Sequence, residues 1–214
     1  MSNRTKTARR CCFILGTALL LLALFLVLHN VTEDKKSGEH AAVLLDELKQ
    51  EIPDTTAPAE TMPLAETYDL FAQYEEPTLP VMETVEIDGN VYIGYISIPS
   101  LGIELPVLSE WSYPNLKIAP CRYVGDLYSD DLILCAHNYA THFGTIGNLH
   151  TDDEIDFTDV SGNVHRFGVV NIEQLPGTAV EDLKFDNADD WDLTLFTCTL
   201  SGRSRVTVRA VRID

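Results

Sequence analysis

Cys198 stands in "DLTLFTCTLSGRSRVTVRAVR", the stretch from Asp192 to Arg212. By default a strand cysteine is a small buried hydrophobe. Here Thr197 and Thr199 flank it, so the strand turns polar where the thiol appears. Arg203 and Arg205 follow across a short Ser-Gly turn, and a neighbouring guanidinium favours thiolate over thiol. Val206, Val208 and Ala210 then alternate with Arg205, Thr207 and Arg209, the period-two pattern of a strand with one apolar and one charged face. Such a pattern fits a barrel wall with a solvated outer side, or an arginine aimed along that wall at the thiol.

A nucleophilic thiolate also needs a proton-transfer partner. In "LILCAHNY", His137 stands where an apolar run meets polar residues, as Cys198 does. Both project from strand ends, where a rigid scaffold can hold them. His142 and His150 flank a glycine-containing loop and His165 sits mid-strand in a hairpin, and surface roles suit all three. Among the other thiols Cys135 is the nearest competitor, two residues before His137. Alternation of faces along the strand and the apolar neighbours Leu132, Ile133 and Leu134 read it as packing.

The elements that must position these residues are short strands. From about Val85 the texture becomes β-branched runs broken by Pro99, Gly102 and Pro106 in "VYIGYISIPSLGIELPV". "DLILCAHN" is an apolar strand, and "EIDFTDVSGNVHRFGVVNIEQL" reads as two strands around Ser161-Gly162-Asn163. "DLTLFTC" and "RVTVRAVRI" supply the last pair. Many short strands with little helix predict an all-β, closed or nearly closed barrel, with short helices at Thr145–His150 and Ala179–Leu183.

The chain of 214 residues carries a net charge of −18, which excludes nucleic acid as a partner because phosphates need a basic surface. The first ten residues run against this balance, with Arg4, Lys6, Arg9 and Arg10 and no acid. Cys11–Leu28 follows without a charge, spanning about 27 Å as a helix against a hydrocarbon core of about 30 Å. Without a small-x-small cleavage site, it reads as an uncleaved single-pass anchor. The basic flank before it keeps residues 1–10 in the cytoplasm and the body outside.

Residues 29–84 read as an extracellular stalk. Val43, Leu44, Leu48 and Ile52 give Glu39–Ile52 helical spacing. Pro, Thr and Glu then dominate, with a helical turn around Tyr68–Tyr74. Residues 85–214 read as the folded body, which holds only Cys121, Cys135 and Cys198 of the five cysteines, an odd count that leaves at least one thiol free.

"TLFTC" followed by Arg205, with "AHN" upstream, resembles the sortases, membrane-anchored cysteine transpeptidases of Gram-positive bacteria. "GYISIPSLGIELPV" resembles the first strands of their eight-stranded barrel, and "HNYATHFGTIGNL" the loop and helix after their histidine. The resemblance implies Cys198 as nucleophile, His137 as general acid/base, Arg205 as oxyanion or substrate-orienting group and Thr197 as a substrate-holding residue. It implies cleavage of a Leu-Pro-x-Thr-Gly-like sorting signal on surface proteins and transfer to a cell-wall peptide amine or a pilin lysine, without a cofactor. No second apolar span precedes Asp214 and no clear lid motif lies in the stalk, which counts against pilus polymerisation.

Arg203 falls on the same face as Arg205 and is its rival; "RVTVRAVRI" begins the regular strand at Arg205 and favours it. Arg209 and Arg212 read as dispensable for the reaction. Asp152, Asp153 and Glu154 read as a solvated acidic loop rather than a metal site. Two other function classes compete. Papain-like peptidases place cysteine before histidine, usually at a helix start, the reverse of the order here. A non-catalytic anchored β-domain, such as an adhesin or sensor, would not require the Cys198, His137 and Arg205 constellation.

Overall fold

A computed structural model describes residues 3–53, 81–179 and 191–213. One long helix, α1 (Asn3–Glu51), precedes nine strands: β1 (Val85–Ile87), β2 (Asn90–Ile98), β3 (Ile103–Leu108), β4 (Cys121–Val124), β5 (Leu132–Ala136), β6 (Glu154–Asp159), β7 (Val164–Pro176), β8 (Leu193–Cys198) and β9 (Ser204–Arg212). Asp88 and Gly89 both take positive φ, 50° and 75°. This is what a two-residue hairpin of the right twist demands, and it joins β1 to β2.

The strands run in the order β1-β2-β3-β4-β5-β8-β9-β7-β6, and β6 pairs back onto β2. β2 to β9 therefore close into the expected eight-stranded barrel, with β1 appended to one edge of β2. Closure forces β6 close against β2 at Gly94, where a Cβ would meet the Thr158 carbonyl oxygen at 2.0 Å. Only glycine fits there. The barrel holds two parallel pairs, β3–β4 and β5–β8, so each needs a long connection. The second such connection carries the chain from His137 through β6 and β7 before it returns at β8.

Alternation sorts each wall strand. Leu132, Leu134 and Ala136 of β5, Leu193 and Leu195 of β8, and Val208 and Ala210 of β9 fill the interior with Phe157 and Phe167. The opposite faces of β4, β5 and β8 join a second apolar cluster of Cys121, Ile133, Cys135 and Phe196, which α1 covers with Leu44 and Leu48. Burying each leucine contributes about 2 kcal/mol.

The helix differs from the stalk expectation. It runs unbroken from the apolar stretch to Glu51. Its buried face is Ser37, Ala41, Leu44, Leu45 and Leu48, while Val43 is exposed. The expected Thr145–His150 helix is a single 3-10 turn at Ile146–Asn148. Residues 54–80, with the Tyr68–Tyr74 turn, lie outside the described residues, as does most of Ala179–Leu183.

Among the described residues one helix is long and apolar enough to cross a membrane, and none of its apolar window is buried against the protein. Phe13, Leu20 and Phe25 point outward, as they would toward lipid.

Candidate active site

β8 supplies the thiol and its two neighbours flank it. In the parallel β5–β8 ladder Ala136 pairs with Thr197, so His137 follows β5 at the level of Cys198. In the antiparallel β8–β9 ladder Cys198 pairs with Arg205, and directly opposed residues share a face. Cys198 thus lies between His137 on one side and Arg205 on the other, on the outer wall of the barrel, with strands about 4.8 Å apart. Cys198 is exposed, whereas Cys121 and Cys135 are buried.

The turn settles which arginine faces the thiol. Thr199 N–H donates to the Ser204 carbonyl at 3.0 Å, and Gly202 N–H to the Thr199 carbonyl at 2.8 Å. Gly202 takes φ 68°, closing the turn immediately after the Cys198–Arg205 pair. Arg203 lies within that turn, exposed, with its carbonyl accepting Gly177 N–H at 2.8 Å. Arg205 Nη1 donates to the Gly202 and Ser204 carbonyls at 3.2 and 3.3 Å. The rest of its guanidinium has no partner among the described residues.

Thr197 is the residue expected to hold substrate. Its side chain is buried and its hydroxyl donates to the Ala136 carbonyl at 2.9 Å. It ties the end of β5 to the end of β8, and so fixes the spacing of His137 and Cys198. The adjacent threonine pattern was legible in the sequence, but its inward direction follows from Leu193, Leu195 and Thr197 sharing one face.

Cys135 departs from its expected reason for being inert. Residues two apart on a strand share a face, so Cys135 lies on the same side as His137. Burial separates them: desolvation in the second cluster pushes its thiol far up, and pushes that of Cys121 up to about 12.

Arg209 and Arg212 are not free surface charges. Arg209 is 1% exposed; it donates to Thr194 Oγ1 at 2.9 Å and Glu173 Oε1 at 3.2 Å, and stacks on Trp191. Arg212 binds Asp130 at 2.8 Å, with His165 Nδ1 3.0 Å from its guanidinium. His165 in turn faces Asp159 at 3.2 Å. The charge on β9 is therefore largely structural beyond Arg205. In the acidic loop Asp153 accepts His150 N–H at 2.7 Å, closing the turn before β6.

Sequence reasoning placed His142 at the surface, but it is fully buried. It lies in the loop that follows His137, where Tyr139 stacks on His137 with ring centroids 4.1 Å apart and inclines toward His142 at 5.5 Å. His137 Nδ1 lies 3.2 Å from Asn138 Oδ1. The Ser37 hydroxyl donates to the Lys117 carbonyl, so His142 Nε2, 3.1 Å from the same oxygen, must be the donor to it. Nδ1 is then the site left for a second proton, and it is enclosed without a partner among the described residues.

Burial first, and His137 second, push the His142 pKa from 6.5 down to about 4. Between those values the unfolded chain binds a proton that the folded protein does not. Stability is complete above about pH 6.5 and is lost as pH falls toward 4, by a quantity of order 3 kcal/mol. Replacing His142 by Gln is expected to flatten the fall of the unfolding midpoint between pH 7 and pH 4.5. An unchanged slope would assign the acid sensitivity to other groups.

The family model described as "Sortase domain" matches residues 96–213, more than half of the chain. Sortase A of Bacillus anthracis is 26% identical over 132 residues, which make up 59% of this chain and 61% of that protein. The match thus spans about three fifths of this curated relative. Sortase C1 from Streptococcus agalactiae superposes with a TM-score of 0.51 at 25% identity, covering 60% of this chain and 71% of that one. Sortase A from Corynebacterium diphtheriae superposes with a TM-score of 0.51 at 24% identity, covering 58% and 62%, a likeness of fold. With the family's domain model laid over the closed barrel from β2 through β9, the chain belongs to the sortase family.

Proposed function

We propose that this chain is a membrane-anchored cysteine transpeptidase that cleaves a sorting signal on surface proteins and joins the product to an amine. The observation that carries this reading is the register of β5, β8 and β9, which sets exposed Cys198 between His137 and Arg205. The Cys198 thiolate attacks the carbonyl carbon of the scissile peptide bond, and negative charge develops on the oxygen. Arg205 is the donor for that oxygen. As the tetrahedral species collapses, the C–N bond breaks and protonated His137 gives its proton to the departing amine.

The acyl group is then held as a thioester on Cys198. An acceptor amine attacks the same carbon, His137 takes the proton, and the thiolate leaves as a new amide forms. Peptide bond is exchanged for peptide bond, with no external oxidant, reductant or cofactor. Thr197 acts in this scheme by holding β5 to β8 rather than by touching substrate.

The anchor helix and the basic residues before it support a single-pass arrangement, with residues 1–10 in the cytoplasm and the barrel outside the cell. The donor is then a surface protein bearing a Leu-Pro-x-Thr-Gly-like signal, cut after the threonine. The acceptor is a cell-wall precursor or pilin amine. Full-length protein in detergent, incubated with such peptides and a short glycine amine, is expected to yield a thioester adduct and a ligated product by mass spectrometry. Hydrolysis without ligation would make it a peptidase, and binding without either product a non-catalytic domain.

A further inference from the structure

The helix that carries the apolar span also grips the loop that carries His137. Asp34, six residues beyond the end of that span, accepts the Ala140 and Thr141 backbone N–H groups at 3.1 Å each. It also accepts the Thr141 hydroxyl at 2.6 Å. Three donors from two adjacent loop residues thereby converge on one carboxylate. Burial raises the Asp34 pKa, but the hydrogen bonds from Thr141 and Ala140 outweigh it and hold the group below its ordinary value, as charge-assisted bonds do.

One turn along the helix, Ser37 bonds His142 and the Lys117 carbonyl. Immediately after Ser37, Gly38 lets the helix backbone touch the loop: a Cβ there would meet Thr141 Cγ2 at 2.6 Å. The loop itself is closed by Gly144 N–H donating to the Tyr139 carbonyl at 2.8 Å and Phe143 N–H to the His137 carbonyl at 3.3 Å. Tyr139 completes the path by stacking on the His137 ring.

We infer that Asp34 and Ser37 are positioning residues for His137, so that the helix emerging from the membrane sets the orientation of the general acid/base. This rests on the proposed role of His137. Neither residue reaches the reacting atoms; both act through Thr141, His142 and Tyr139. A small misplacement of a catalytic group costs rate rather than binding.

The test uses the full-length protein in detergent, with kcat and KM measured for a sorting peptide and a glycine amine, alongside the unfolding midpoint. Asp34→Ala is expected to lower kcat roughly tenfold with KM within about twofold. Asp34→Asn, which keeps an acceptor oxygen, is expected to recover part of the loss. Gly38→Val, which forces the helix off the loop, is expected to reproduce the kcat defect. Lys49→Ala is the control for docking as such, because it breaks the 2.6 Å contact to Glu104 at the far end of the docked helix; kcat is expected to be unchanged.

Wild-type kcat in both Asp34→Ala and Gly38→Val would overturn the inference. So would a loss that merely tracks the folded fraction, with Asp34→Asn no better than Asp34→Ala and Lys49→Ala equally impaired. An active His137→Ala protein would instead overturn the assignment of the general acid/base itself.

Discussion

Cys198→Ala is expected to abolish both thioester formation and transpeptidation, while Cys121→Ala and Cys135→Ala retain most activity. The difference rests on hydration and not on proximity to the histidine. Cys121 is 0% exposed and Cys135 4%, and each pairs with the other across β4 and β5. Ionising either thiol would place a charge among Leu108, Tyr92 and Phe196, which is why desolvation drives both pKa values upward. A thiolate is the nucleophile, so neither can supply it near neutral pH. Cys198 alone of the three reaches solvent.

Alanine at 121 or 135 removes one sulfur from a packed cluster and is expected to cost about 1 kcal/mol of stability, seen in the unfolding midpoint. Trapping with a sorting peptide carrying a thiol-reactive group, followed by peptide mapping, checks the assignment. An adduct on Cys135 would defeat it.

The barrel walls were legible because β9 alternates with period two and β5 is a short continuous apolar run ending in polar residues. Leu193, Leu195 and Val208, Ala210 announce an interior, and the Ser-Gly and Ser-Gly-Asn turns announce the reversals. The positions of His137 and Cys198 were legible for the same reason, since both sit where an apolar run ends. What the sequence concealed lies on the outer face. Cys135 and Phe196 point away from the barrel interior, yet they are buried because α1 and the 109–120 segment cover them. No local pattern predicts that a helix from 90 residues upstream will land there.

His142 was hidden likewise. A histidine beside Gly144 looks like a surface residue until Ser37 and Asp34 arrive from α1. The helix was recognised from its spacing, but its buried stripe includes Ser37 and Ala41, residues too small or polar to signal a packed face. Arg209 misled in the opposite direction, since a charged residue on an alternating strand reads as solvated. Here Glu173, Thr194 and Trp191 satisfy and enclose it.

Arg205→Ala is expected to reduce kcat by about 10²–10³ with a much smaller change in peptide binding, as for loss of one oxyanion donor. The expectation follows from register. Arg205 is the cross-strand partner of Cys198, so its side chain leaves β9 on the face where the thiol leaves β8. The Gly202 and Ser204 carbonyls hold only Nη1, leaving other N–H groups of a guanidinium with five donors for a developing oxyanion.

Lysine offers one compact ammonium on a flexible stem. It cannot both bind the turn carbonyls and present a second fixed donor, so Arg205→Lys is expected to recover little of the rate. Arg203→Ala is the matched control, because Arg203 lies in the exposed turn, and its kcat is expected to stay near wild type. Arg209→Ala separates catalysis from structure: removing a guanidinium enclosed by Glu173, Thr194 and Trp191 is expected to lower the unfolding midpoint while sparing kcat of the folded fraction. Steady-state kinetics on the four variants, with midpoints measured in parallel, decide the matter. A crippled Arg203→Ala beside an active Arg205→Ala would mean that the hairpin slips by two residues in the working enzyme, carrying Arg203 opposite the thiol.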